Sequence, residues 1–287
     1  MPPFLSSINN RPIEKMVSLA PSHTEILFAL GLGEKVVGVT ENCDYPPEVK
    51  DKKRIGFFAH PYLPQIISLR PDLVFTYGQV HKGCTEALQT AGITVVNFIP
   101  RTIEELLQGM ELIAGINGED KAGHELVSLL KEKVKKIKAR TASFLRPRVF
   151  FLMSEEPLAT PGPASCQYDT LYTAGAYPFP LADEAPFALL SWEDVVRYDP
   201  EIIVACGREN HQPPKKRCPG CQRKIPLCSR NIEDIKSYPP LKKVKAVQTG
   251  RVYSLSCENI CRPGPRLIEG LEKLSILFGL SLNDKKY

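Results

Sequence analysis

The sequence predicts an α/β protein made of two units joined by one long helix. Three observations carry this. Short apolar runs alternate with helical segments through the first hundred residues. A stretch of about 25 residues with helical spacing and no strand signal comes next. A second alternating series follows it.

In the first series, Met16–Ala20 (MVSLA) is a short apolar strand running into Pro21-Ser22-His23-Thr24-Glu25. Ser22 followed three residues later by Glu25 reads as a capping box, so a helix starts here. It runs through Ile26, Leu27, Ala29 and Leu30, and Gly31–Gly33 ends it. Val36–Val39 is a second strand and Asn42–Pro47 a turn-rich loop. Leu63–Leu69 is helical, and the run from Pro71 to Thr76 is a third strand. A helix over Thr85–Thr90 and a strand over Ile93–Phe98 close the series.

From Glu119 to Ser143 the apolar positions Ala122, Leu126, Leu129, Leu130, Val134 and Ile137 follow helical spacing. A helix of about 25 residues would span roughly 37 Å, enough to join two lobes stiffly. The second series opens with a strand over Arg148–Leu152. Ser191 caps a helix with Asp194 at its third position, Glu201–Ala205 is a buried strand, Arg251–Leu255 is the last strand, and Leu267–Leu277 is an amphipathic closing helix. The expected organisation is an arm over 1–14, a first lobe over 15–118, the connecting helix over 119–143, and a second lobe over 144–287 with an insertion at 207–230.

The 287 residues are 43% hydrophobic and 24% charged, an ordinary globular balance. The formal charge is +5, from 37 basic and 32 acidic residues, and it is interspersed. The densest basic run, Lys131–Lys138, reads as a solvated helix face rather than a nucleic-acid patch. No stretch has the apolar length of a membrane span. The first 14 residues show no charged segment before an apolar core, so the chain reads as cytoplasmic. No catalytic triad, HExxH, P-loop or post-strand GxGxxG is present, which favours a binding or electron-transfer protein over an enzyme.

Five motifs occur in order: Val17–Glu25 (VSLAPSHTE), Cys43–Pro47 (CDYPP), Leu69–Val74 (LRPDLV), Arg251–Tyr253 (RVY) and Arg262–Leu267 (RPGPRL). Their order and spacing resemble the substrate-binding proteins of vitamin B12 and iron-siderophore uptake systems, over residues 15–280 apart from the insertion. The resemblance implies two Rossmann-like lobes joined by one rigid helix, the class III substrate-binding-protein fold, with a metal chelate such as cobalamin held in the cleft. It also implies that aromatic side chains line that cleft, and the matching positions are Phe58, Tyr77 and Phe187, with Arg262 as a cleft-facing arginine. Aromatic rings suit a flat macrocycle because they offer area at little rotamer cost. Phe58 and Tyr77 also sit beside Gly56 and Gly78, at the loop and strand-end positions where open α/β sheets hold ligands. Ser22, His23, His60 and His81 fall on loops or helix starts near the same region, and a histidine there could ligate a chelated metal such as cobalt.

Two positions depart from the family. Its exported members carry a carboxylate on each lobe that docks an arginine of the transporter. Glu193 matches in the second lobe, whereas Pro64, next to Gln65, stands at the first-lobe position.

Six of the nine cysteines fall between 206 and 261. Cys218-Pro-Gly-Cys221 is a tight knuckle of the kind used for zinc and for iron–sulfur clusters, and Cys228 supplies a third thiolate. Cys206, Cys257 or Cys261 could supply a fourth. Cys43, Cys84 and Cys166 read as scattered structural cysteines. More thiolates than zinc needs favour a cysteine-ligated iron–sulfur cluster, of the [4Fe–4S] type, with zinc as the alternative. The expected protein is then an intracellular binder of a corrinoid or related chelate, with a cluster beside the cleft and a corrinoid protein or redox partner. The alternative is a transporter-linked binding protein for cobalamin or a siderophore, with a structural zinc in the insertion.

Overall fold

A computed structural model describes residues 12–117, 121–182, 184–207 and 230–283. The chain divides into two compact units. Of the described residues, the first unit holds 12–99 and 107–129, and the second holds 100–106, 130–207 and 230–283.

The first unit is built from β1 (Met16–Ser18), α1 (Pro21–Ala29), β2 (Val36–Val39), β3 (Lys53–Arg54), β4 (Gly56–Phe57), β5 (His60–Pro61), α2 (Leu63–Ser68), β6 (Leu73–Thr76), α3 (Lys82–Thr90) and β7 (Thr94–Asn97). Two further helices, α4 (Ile103–Ala114) and α5 (Lys121–Thr141), contribute to both units. The main sheet runs β3-β2-β1-β6-β7 with every pair parallel. Every residue of β1 and β6 is buried, as expected of central strands covered on both faces. Met16 stands opposite Val36 on one side and Leu73 on the other. Val17, Leu19, Ile55, Ile66, Val74 and Leu88 form one core beneath the sheet.

The expected capping box at Ser22 does not form. α1 begins at Pro21, with Ala20 as a cap that has no side-chain acceptor. Proline's fixed φ suits the first helical position, so the helix starts one residue early and Ser22 lies inside it. Ser22, His23, Thr24 and Glu25 are all buried, and Thr24 Oγ1 lies 2.8 Å from Ser18 Oγ and 3.0 Å from Cys43 Sγ.

The long helix forms as 21 residues, shorter than expected. Its buried stripe also differs, running Gly123, Val127, Val134, Ile137 and Thr141, while Leu129 is 65% exposed. Gly123 explains the shift, since a Cβ there would stand 3.1 Å from the Ala114 Cβ. The small residue lets α5 approach on that face.

The second unit contains β8 (Arg148–Leu152), β9 (Ser154–Glu155), β10 (Leu158–Pro161), α6 (Cys166–Thr173), β11 (Tyr177–Pro178), β12 (Phe187–Leu189), α7 (Trp192–Tyr198), β13 (Ile202–Cys206), α8 (Ile232–Ser237), α9 (Lys245–Gln248), β14 (Val252–Leu255), α10 (Cys257–Ile260) and α11 (Pro265–Asn283). Its parallel sheet runs β11-β8-β13-β14, and β12-β10-β9 form a small antiparallel sheet. The capping box at Ser191 is present in full. Ser191 Oγ accepts from the Asp194 N–H, and Asp194 Oδ2 accepts from the Ser191 N–H at 3.0 Å. The chain therefore has the mixed α/β fold, with two parallel sheets and one long helix.

Candidate functional site

In the first unit the chain leaves β1 toward β2 on one side and returns on the other side of β1 as β6. Strand order reverses between β1 and β6, and open parallel sheets bind ligands at the carboxyl ends of the strands flanking such a point. Two segments rise there. One is the start of α1, carrying Ser22 and His23. The other is Tyr77–His81, directly after β6.

A third segment joins them. Gly56 at the base of the β4–β5 hairpin has φ +95°, and a Cβ there would stand 2.7 Å from the His60 carbonyl oxygen. Only glycine suits that turn. The hairpin carries Phe58 at its tip, and the Phe58 N–H donates to Asn42 Oδ1 at 2.8 Å.

His81 ties the hairpin to the strand end. The Tyr77 N–H donates to His81 Nδ1 at 2.8 Å, so Nδ1 carries the lone pair. Nε2–H is then the donor, and it reaches the Phe58 carbonyl at 2.6 Å. Burial lowers the His81 pKa and holds the ring neutral, as this arrangement requires. Both nitrogens are committed to backbone, so His81 acts as a brace rather than as a metal ligand. The Phe58 and Tyr77 rings lie 6.0 Å apart, and both are half-buried. His81 meets Phe58 edge-on at 5.1 Å.

His23 sits beneath this group. Its ring lies 5.7 Å from Tyr77 and 5.9 Å from both Phe75 and Phe98. Nε2–H donates to the Phe98 carbonyl at 2.9 Å, and among the described residues Nδ1 has no partner. Burial pushes its pKa down to about 4. His23 is thus a neutral, buried member of the aromatic group. His60 is separate from this group, exposed on β5 opposite Phe57. Ser22 is buried within α1.

Phe187 and Arg262 belong to the second unit. Phe187 is 52% exposed on β12, paired with Pro161. Arg262 is half-buried, directly after Cys261. Glu193 is exposed in the first turn of α7, and Pro64 is exposed on α2. A cavity of about 290 Å³ in the second unit is lined by Leu152, Glu155, Glu156, Trp192, Ile235 and Tyr238, among others.

Three cysteines converge in the second unit. Cys206 ends β13, opposite Leu255 of β14, so the chain returns beside it two residues later at Cys257. Cys257 and Cys261 are four apart on the turn of α10, which puts both on one face. Cys206 Sγ lies 2.7 Å from Cys257 Sγ and 3.2 Å from Cys261 Sγ, and all three lie within 4.8 Å of one another. Interaction with Cys206 and Cys257 holds the Cys261 thiol well below its ordinary range, whereas interaction with Cys257 and Cys261 raises Cys206. Three convergent thiols are a soft donor set. Cys218, Cys221 and Cys228 lie outside the described residues. Cys43 and Cys166 are buried and Cys84 half-buried, and none of them is a member of the trio.

Sequence reasoning missed Asn42, Phe98 and Arg230. Asn42 sits in a loop recognised only as turn-rich, and nothing local marks Phe98 as the acceptor for a histidine 75 residues earlier. Arg230 is buried, donating from Nη1 to the Leu152 and Cys206 carbonyls at 2.9 and 3.0 Å, with Nε 3.1 Å from Glu155.

Residues 16–257 match the periplasmic binding protein family. An uncharacterized ABC transporter substrate-binding lipoprotein of Bacillus subtilis is 32% identical over 270 residues, covering 91% of this chain and 79% of its own. A vitamin B12-binding protein of Vibrio parahaemolyticus is 28% identical over 276 residues, covering 94% of this chain and 92% of its own. Among solved structures, the periplasmic vitamin B12 binding protein of Vibrio cholerae superposes with a TM-score of 0.79 at 22% identity, covering 96% of this chain and 99% of that one. That superposition establishes the class III substrate-binding fold. Among the described residues, no helix is long and apolar enough to cross a membrane.

Proposed function

Because this chain belongs to the periplasmic binding protein family, we propose that it is the substrate-binding component of an ABC transporter and that its ligand is a corrinoid of the vitamin B12 kind. The observation that carries the ligand class is the Phe58–Tyr77 pair, two half-buried rings at the carboxyl end of the first sheet, braced by His81. Held rings offer flat apolar area without an ordering cost on binding, which suits a macrocycle better than a small hydrophilic solute. Of the two readings the sequence left open, the transporter-linked one has the stronger support. Relatives described as substrate-binding or vitamin B12-binding proteins align with more than nine-tenths of the chain. Glu193, exposed on α7, is the carboxylate available for a transporter arginine on the second unit.

The test is a titration of the purified protein with cobalamin, haem and a ferric hydroxamate chelate, read by quenching of Trp192 and by visible absorption. Cobalamin is expected to bind most tightly. Phe58→Ala and Tyr77→Ala should each weaken it by about tenfold, or ~1.4 kcal/mol. Tight binding of the hydroxamate chelate with no response to cobalamin would refute the corrinoid assignment.

A further inference from the structure

The thiol trio of the second unit is not used by the proposed ligand site, and its geometry is unlike that of structural cysteines. Cys206 is fully buried, Cys257 and Cys261 are half-buried, and their sulfurs all lie within 4.8 Å of one another. At 2.7 and 3.2 Å the sulfurs stand closer than thiols packed as small apolar groups and meet as S–H···S contacts. The backbone builds this convergence deliberately. The parallel pairing of β13 with β14 brings Cys206 level with Leu255, and α10 then turns two sulfurs back. α11 seats α10 closely: at Gly270 an added Cβ would lie 1.8 Å from the Asn259 carbonyl oxygen.

A second observation lies beside the trio. Arg230 is 6% exposed, its Nη1 holds the carbonyl of Cys206 itself, and its buried Nη2 has no partner among the described residues. Nε is paired with Glu155 at 3.1 Å, but a buried Nη2 without an acceptor is still costly, and a further negative charge nearby would offset that cost.

We infer that Cys206, Cys257 and Cys261 form a trithiolate site for a single thiophilic divalent cation, zinc(II) being the ion that fits, with Arg230 offsetting its charge. Three thiolates on one tetrahedral zinc stand about 3.8 Å apart at the usual Zn–S length, so the pairs at 2.7 and 3.2 Å would open by about an ångström or less on loading. In a cubane iron–sulfur cluster each thiolate binds a different iron, so its sulfurs spread wider than those sharing one ion. Sulfurs this close need the smaller opening to share one ion, which favours a mononuclear site over the cluster. On loading, each thiol still protonated releases its proton to solvent, three Zn–S bonds form and no electron moves. The product carries one net negative charge, which the Arg230 guanidinium faces. This site lies within the second unit and does not depend on the corrinoid assignment.

The test removes the other candidate thiols first. Full-length protein carrying Cys218→Ser, Cys221→Ser and Cys228→Ser is purified without chelator and without oxygen, and its zinc, iron and acid-labile sulfide are measured. One zinc per chain is expected, with three thiols shielded from a thiol reagent until a chelator is added. Cobalt(II) substitution should give sulfur-to-cobalt charge-transfer absorption. Cys257→Ser and Cys261→Ser, at half-exposed positions that tolerate the change, should each weaken zinc binding by a hundredfold or more. The inference is overturned by a metal-free triple variant, by iron with matching sulfide, or by a Cys206–Cys257 disulfide in the air-free protein.

Discussion

The His81 imidazole donates to the Phe58 carbonyl across 23 residues of sequence, and the same ring accepts the Tyr77 N–H. One neutral side chain thereby fixes two backbone segments whose aromatic side chains form the proposed ligand face. The proposed ligand face is thus held by a residue whose two ring nitrogens are both committed to backbone.

Replacing His81 tests that dependence. His81→Phe keeps ring volume and removes both hydrogen bonds, leaving Phe58 and Tyr77 in place but unbraced. Cobalamin affinity should fall about tenfold, ~1–2 kcal/mol, although no ligand-facing ring has been altered. Titration by Trp192 quenching reads the effect. Unchanged affinity would show that the hairpin holds Phe58 without His81.

His23 gives a pH signature. Its pKa in the folded chain is pushed down to about 4 by burial, against 6.5 as the ordinary value. The unfolded chain binds this proton more readily, so stability is fully present above pH 6.5 and is lost as pH falls toward 4. The loss across that window should be about 3 kcal/mol. Urea denaturation at stepped pH measures it, and His23→Phe should flatten the slope in this window.

Arg230 is a buried cation of the second unit. Arg230→Met strips donors from the Leu152 and Cys206 carbonyls and removes the Nε partner of Glu155. Because Glu155 is about half-exposed, the expected cost of roughly 3 kcal/mol comes mainly from the two carbonyls. A thermal melt reads it, and Glu155→Gln alone should cost far less.

Ser191→Ala removes the α7 cap and should cost about 1 kcal/mol in chemical denaturation. Ser22→Ala should cost less through capping, since Ser22 caps nothing.

Much of this protein follows from local sequence. Val36–Val39 and Arg148–Leu152 form strands over the ranges their apolar runs mark, and Ser191 with Asp194 forms the box its spacing calls for. In each case the controlling interactions lie within a few residues. The same local rule failed at Ser22, because Pro21 set the helix start and burial claimed the serine. It also missed α4, α6 and the antiparallel sheet, whose apolar faces are defined by neighbours distant in sequence.

The candidate sites depended more heavily on tertiary structure. Phe58, Tyr77 and His81 could each be singled out from position, but only the fold shows that His81 braces the other two and that His60, two residues from Phe58, stands outside the group. The cysteine-rich region was plain in the sequence. The meeting of Cys206 with two thiols more than fifty residues later was decided by strand register and by the turn of α10. Sequence fixes which donors exist and which segments are helix or strand, because those depend on local backbone preference. Which donors share a centre depends on long-range pairing, and only the folded chain decides that.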